Sequence, residues 1–191
     1  MLILARHGRT AANAQGLLQG RMDLPLDEVG REQARKIAAA LASVDVVISS
    51  PLRRAVETAE AVGKEIEIDD RWIEMDFGNL DGQRRQDIDP AIWIRLQRDV
   101  HYQPEGGESL ANMMLRVTPA LDELLVRSEH ETIAVFSHVM PIKAAFSHVL
   151  HIGMETAPRT YLDQASLTRM TMTPVGAVLH SFNETGHLRI S

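Results

Sequence analysis

Cysteine is absent from this 191-residue chain. That excludes disulfides and thiolate metal ligands and suits a reducing compartment, so a cytoplasmic location is expected. No apolar run approaches the roughly 20 residues that cross a bilayer. The start lacks the basic stretch and cleavage site of a secretory leader, and no membrane partner is expected. Basic residues are not in excess either. Lys and Arg number 20 against 26 Asp and Glu, a net charge of −6, which argues against a nucleic-acid partner. An anionic small molecule stays compatible if arginines gather locally. Internal repeats, low-complexity tracts and long linkers are missing, as is the Gly-x-Ser-x-Gly turn of serine hydrolases.

What is present reads as one globular domain over residues 1–191, with 45% hydrophobic and 24% charged residues and enough length for a substantial core. The chain starts as a buried strand, Leu2-Ile3-Leu4-Ala5, that breaks off at Arg6-His7-Gly8. Ligands of open parallel sheets bind just beyond the carboxyl ends of strands, so Arg6 and His7 are expected to enter a crevice there. Thr10 to Asn13 reads as a polar turn or short helix. Asp27 is placed to cap a helix to about Ala42, with Val29, Ala34, Ile37, Ala38 and Leu41 at helical spacing. Val44 to Ser49 reads as a second buried strand, and Ser50-Pro51 as the cap and first position of a helix to about Val62.

Further on, Ile66 to Ile68 suggests a short strand, followed by an irregular stretch around Gly78 and Gly82. Helices are expected from Asp89-Pro90 to about Asp99 and from Ser109 to about Ser128, the second kinked at Pro119. Thr132 to Phe136 reads as a strand ending in Ser137-His138, with a helix beginning at Pro141. Strands over 167–173 and 177–182 form a hairpin turning at Pro174-Val175-Gly176. Alternating strands and helices indicate an α/β fold, a three-layer α/β/α sandwich with a mostly parallel sheet and an antiparallel edge strand.

Three strand tips then converge, carrying Arg6-His7, Arg53-Arg54 and Ser137-His138, with Glu74 on a connection over the same edge. Two histidines, several arginines and one carboxylate describe a phosphate pocket that contains a nucleophile and an acid. Arg9 and Arg21 are candidates for a subsite that takes a second anionic group. Arg84, Arg85, Arg95 and Arg98 are further candidates for that subsite, and a solvated surface on a lid helix fits them at least as well. The remaining histidines, among them His148 and His151, read as surface or structural residues.

Arg6-His7-Gly8 with Thr10 and Asn13, then Gln19-Gly20, Asp23, Pro25 and Leu26, resemble the histidine phosphatase superfamily, whose fold is phosphoglycerate mutase-like. Ser49-Ser50-Pro51-Leu52-x-Arg54-Ala55-x-x-Thr58-Ala59 is a second match, and Glu74-Met75-Asp76-Phe77-Gly78 a third. Gly106-Gly107-Glu108-Ser109 and Ser137-His138 complete the family's order. The resemblance implies that His7 is the nucleophile, forming phosphohistidine. It implies that Arg6, Arg54 and His138 hold the phosphoryl oxygens, with Asn13 assisting and Gln19 and Gly20 lining the substrate. Glu74 would protonate the leaving oxygen and then activate water. No metal or cofactor is implied. Physically, neighbouring guanidinium cations should keep His7 neutral and nucleophilic, while a bound phosphate dianion should raise the pKa of Glu74.

Two positions depart from the family's pattern: Asp27 stands where threonine is frequent, and Val139 follows His138 where glycine is usual. Residues 79–107 are expected to form a substrate-selecting lid. Family mutases carry a longer insert between the acid and the second histidine, and a C-terminal tail. The favoured reading is therefore a phosphomonoesterase acting on a small phosphorylated metabolite. The alternatives are mutase-type phosphoryl transfer and a non-catalytic protein that binds phosphate ligands.

Overall fold

Leu2 and Leu4 point to one side of their strand and Ile3 and Ala5 to the other, yet all four are buried. A strand apolar on both faces must lie between two layers. The computed structural model, which describes residues 1–189, places helices on both faces of the sheet. In chain order the elements are β1 (Leu2–Arg6), α1 (Ala11–Ala14), α2 (Glu28–Ala40), β2 (Val46–Ser49), α3 (Arg53–Glu60) and β3 (Ile66–Ile68). They continue as α4 (Pro90–Arg98), α5 (Leu110–Arg127), β4 (Ile133–Ser137), α6 (Val139–Val149), β5 (Leu167–Thr173) and β6 (Gly176–Glu184).

The sheet runs β3-β2-β4-β1-β5-β6. The first four strands are parallel, and the β5–β6 hairpin supplies the antiparallel edge. Ile3, Ala5, Ala134 and Phe136 pack against Ile37 of α2, Leu41 at its C-terminal cap, and Ala55 and Ala59 of α3. Leu2, Leu4, Ile133 and Val135 face the second core with Met113, Val117 and Leu121 of α5 and Ile142 of α6. The expected sandwich is the observed one.

Register brings the strand tips level. Arg6 pairs with Ser137, and Ser49 with Phe136. The backbone N–H of His7 donates to the carbonyl of Ser137 at 3.0 Å, so the two histidine-bearing tips are joined.

Two local expectations need correction. α3 starts at Arg53 with Leu52 at its cap position and no side-chain cap, so Ser50 does not cap it. The Ser50 hydroxyl accepts from the N–H of Leu52 at 3.3 Å and partners His138 instead. α6 begins at Val139, two residues before Pro141. α5 runs as one helix through Pro119. The carbonyl that Pro119 leaves without a donor is that of Leu115, and both residues are exposed, so water can satisfy it.

Close packing beside the β1 tip sets one stability prediction. A Cβ on Gly30, in the first turn of α2, would lie 2.0 Å from the carbonyl oxygen of Arg9. Helix propensity alone favours alanine there by about 1 kcal/mol, but overpacking against fixed backbone costs about 1–3 kcal/mol or more. Gly30→Ala should therefore lower stability in urea denaturation, by roughly 2 kcal/mol, rather than raise it.

Candidate active site

His7 stands at the end of β1, 2% exposed. Its Nδ1 lies 2.7 Å from the carbonyl oxygen of Gly8, an acceptor, so the proton belongs on Nδ1. Nε2 therefore carries the lone pair and accepts from Nε of Arg54 at 3.2 Å. The loop beyond is fixed from α3, where the Thr58 hydroxyl donates to the Arg54 carbonyl at 2.6 Å and accepts from Gly8 N–H at 3.0 Å. That contact accounts for the threonine four residues after Arg54.

Arg54 is 1% exposed and joins the two histidines. Its Nε–H points between Nε2 of His7 and Nδ1 of His138, 3.2 Å from each. Nη1 and Nη2 donate to the carbonyls of Met22 and Gly20 at 2.6 and 2.7 Å. Because Nδ1 of His138 accepts, its Nε2 is the protonated nitrogen and donates to Ser50 Oγ at 2.7 Å. Burial first, and the cations of Arg54 and Arg6 after it, hold both imidazoles well below the usual histidine pKa. Both are neutral at physiological pH. The same burial brings Arg6 and Arg54 down to about 10, still charged.

Glu74 reaches the site from the connection after β3. Its carboxylate accepts from the backbone N–H groups of Met75 at 2.9 Å and of Val139 and Met140 at 3.1 Å. The last two are first-turn amides of α6, so the acid sits on a helix N-terminus. Burial outweighs those bonds and the cations of Arg54 and Arg6, and the pKa of Glu74 is raised. Val139 replaces the family's glycine without loss of that amide. Val139 is part of the cavity lining.

The connection that bears Glu74 is clamped from behind. Arg116 of α5 donates to the carbonyls of Arg71 and Ile73 at 2.7 Å and of Glu74 at 3.1 Å. Glu108 accepts from Arg116 at 2.6 Å, from Arg21 at 3.2 Å and from the N–H of Asp76 at 3.2 Å. Gly107 lets this loop close, since a Cβ there would lie 2.5 Å from the carbonyl of Asp76. Asp76 itself has a turn role, accepting from Gly78 N–H at 2.9 Å.

A cavity of about 240 Å³ opens over these groups, lined by Arg6, His7, Asn13, Gln19, Gly20, Arg54 and Glu74. Its far wall is largely apolar, with Phe77, Trp93, Leu96, Met154 and Tyr161. The structure does not bring Arg9 or Arg21 to it. Arg9 pairs with Asp27 at 2.8 Å, the residue that caps α2. Arg21 is held by Glu108 at 3.2 Å and Asp76 at 3.6 Å. Each cation is taken up by carboxylates, Arg9 by the α2 cap and Arg21 by residues far off in sequence, and proximity to the motifs does not show this.

Two further cations belong to the cavity: Arg85, for which the sequence leaves a second-anion subsite and a solvated lid surface both open, and Lys143, which carries no binding motif. Both line the cavity. Lys143 sits in a stretch of α6 that is buried all round, from Pro141 to Ala145, so its ammonium is enclosed by the fold rather than marked by any helical face in the sequence.

The sequence profile of the histidine phosphatase superfamily (branch 1) matches residues 2–185. Phosphoserine phosphatase 1 of Hydrogenobacter thermophilus is 34% identical over 199 residues, covering 98% of this chain and 93% of that protein. A solved phosphoserine phosphatase of Entamoeba histolytica in complex with phosphoserine superposes with a TM-score of 0.90 at 30% identity, covering 98% of each chain. A mycobacterial glucosyl-3-phosphoglycerate phosphatase in complex with VO3 superposes with a TM-score of 0.86 at 29% identity, over 96% of this chain and 98% of the other. A bifunctional protein of Mycobacterium tuberculosis is 35% identical over 98% of this chain, which spans 54% of that protein's length.

Proposed function

The chain belongs to branch 1 of the histidine phosphatase superfamily, and from that premise we propose that it hydrolyses a small phosphorylated metabolite through a phosphohistidine intermediate on His7. What carries this reading is the pair of bonds on the His7 ring: Nδ1–H is committed to the Gly8 carbonyl, and the lone pair on Nε2 lies beside Arg54. A neutral imidazole in a nest of guanidinium groups is a nucleophile with its transition-state donors in place. In the first step Nε2 attacks phosphorus in line, the P–O bond to the leaving group breaks, and Glu74 gives that oxygen its proton. In the second, Glu74 takes a proton from water as water attacks the phosphohistidine, releasing phosphate and restoring the ring. Arg6 and Arg54 hold the phosphoryl oxygens, with Asn13, Gln19 and Gly20 beside them, and His138 joins them by shifting its proton to Nδ1 while the Ser50 hydroxyl turns to donate to Nε2.

The relatives' substrates, phosphoserine and glucosyl-3-phosphoglycerate, support a small phosphate ester as the substrate class. Residues 79–107 act as the cover that selects among such esters, which the positions of Arg85, Trp93, Leu96 and Gln97 on the cavity wall support. The reading is tested by incubating the protein with p-nitrophenyl phosphate and a panel of phosphorylated metabolites in the presence of a chelator. Inorganic phosphate should be released. Release from none of them overturns the reading, and isomerisation of 3-phosphoglycerate without release would indicate a mutase.

Glu74 gives a sharper prediction. As general acid it must be protonated, so turnover falls as pH rises through its pKa, which burial places above the ordinary carboxylate value. His7 must be neutral, so turnover falls again as pH drops through a pKa well below 6.5. Glu74→Gln should lower kcat for alkyl phosphates by about 10²–10⁴-fold and abolish the high-pH limb. In kcat/KM, which reads the first step, the loss should be much smaller for p-nitrophenyl phosphate, whose leaving group needs no proton. An unchanged high-pH limb in Glu74→Gln would remove the acid from the account.

A further inference from the structure

Beside the main cavity lies a second chamber of about 210 Å³ whose lining includes Arg6, Arg85 and Lys143 but not His7, Arg54 or Glu74. Its wall also contains Asn13, Tyr161 and Gln164. Three cationic side chains face it, and no Asp or Glu does. Such a concentration of one sign is costly unless something of the opposite sign offsets it.

Other cations near the motifs are neutralised. Arg9 has Asp27, Arg21 has Glu108 and Asp76, and Arg116 has Glu108. Among the described residues, neither Lys143 nor Arg85 forms an ion pair. Lys143 is 8% exposed, and its ammonium donates only to the neutral carbonyls of Ala157 at 2.7 Å and Thr160 at 2.6 Å. An ammonium has three N–H donors, so one remains for the chamber. Arg6 adds a second unspent donor. Its Nη1 donates to the Leu162 carbonyl at 2.5 Å, while its Nε is buried without a partner. The cost of gathering these charges is visible in Lys143, which burial, and then Arg6 and Arg85, bring down to about 8.

We propose that this side chamber is a second anion subsite, in which Lys143 and Arg85 bind a carboxylate or phosphate carried on the leaving group of the substrate. The proposal deepens the phosphatase reading and rests on it for the identity of the first phosphate. Arg6, Arg85 and Lys143 line both cavities, so the two are continuous and one substrate spans them with its ester phosphate at His7 and its second acid beside Lys143. The substrate class is thereby a phosphomonoester of a hydroxy acid, or a bisphosphate, rather than a neutral alcohol phosphate. Lys143 and Arg85 are specificity residues, with no part in the bond changes.

The test compares 3-phosphoglycerate with glycerol 3-phosphate, which carries a hydroxymethyl group in place of the carboxylate. In the parent enzyme kcat/KM should favour 3-phosphoglycerate by about 10- to 100-fold, the range expected of charge-assisted hydrogen bonds. Arg85→Gln and Lys143→Met should each reduce that preference at least tenfold, chiefly through KM, and Lys143→Arg should restore part of it. Arg85 is exposed, so its variant folds whatever becomes of Lys143→Met. Equal losses on both esters, or no loss on either, would overturn the proposal. So would equal turnover of both esters with a dependence on added acetate that Lys143→Met removes, because the chamber would then hold a free anion. Calorimetry on the His7→Ala variant separates the two readings, since binding needs no turnover. Tighter binding of 3-phosphoglycerate than of glycerol 3-phosphate, lost in His7→Ala/Arg85→Gln, supports the subsite even if the parent hydrolyses nothing. Equal affinities exclude it even if the parent is an active phosphatase.

Discussion

His7→Ala should lower turnover by about 10⁴–10⁶-fold, the scale on which removal of a covalent nucleophile acts when the rest of a site stays intact. The loss should fall on kcat, with the fold unperturbed. His7 makes its backbone bond to Ser137 whatever its side chain, and the ring's one strong bond within the chain is to the neighbouring Gly8 carbonyl. Arg54 loses only one of its four acceptors in this variant and stays anchored on Gly20 and Met22. Stopped turnover with an unchanged melting temperature is therefore the expected pair of results. Partial activity, within tenfold of the parent, would mean that water attacks the ester directly and the imidazole merely lines the pocket.

The second large effect belongs to Arg54→Gln, with an expected loss of about 10³-fold in kcat/KM, since one transition-state donor alone is worth about 10²–10³. It carries a signature that simple damage to the pocket would not. Arg54 is, after burial, the largest cause holding down the pKa of both His7 and His138. Removing its charge raises the folded pKa of His7 toward 6.5, so imidazolium forms at a higher pH than before. The low-pH limb of the pH–rate profile should move upward, and the Glu74 limb should move upward with it, because Arg54 is also the leading cation that opposes the rise of the Glu74 pKa. A uniform loss with the low-pH limb in place would show that Arg54 does not set the ionisation of His7.

The sandwich was legible because its signals are local. Buried strands such as Leu2 to Ala5 and Ile133 to Phe136 are apolar at every position, and Ser109, Asp89 and Asp27 each cap the helix expected of them. The five residues at the centre of the site lay at strand tips or on matched motifs, and parallel register brings such tips together. Ser50 was misread because the same Ser-Pro pair that opens many helices here has its hydroxyl drawn to His138, 88 residues away. The roles of Arg21, Arg116 and Lys143 depend on partners such as Glu108 and the Thr160 carbonyl, which only the folded chain brings close. Charges in the sequence show where cations are, but the fold decides which of them are already neutralised.

The claim beneath all of this is that one imidazole carries the phosphoryl group between ester and water. Rapid quench of the enzyme with ³²P-labelled substrate tests it directly. The account predicts a transient protein-bound label that survives base and is lost in acid, maps to the peptide containing His7, and is absent from His7→Ala. A label stable to acid and mapping to Ser50, or steady turnover with none at any time, would contradict it.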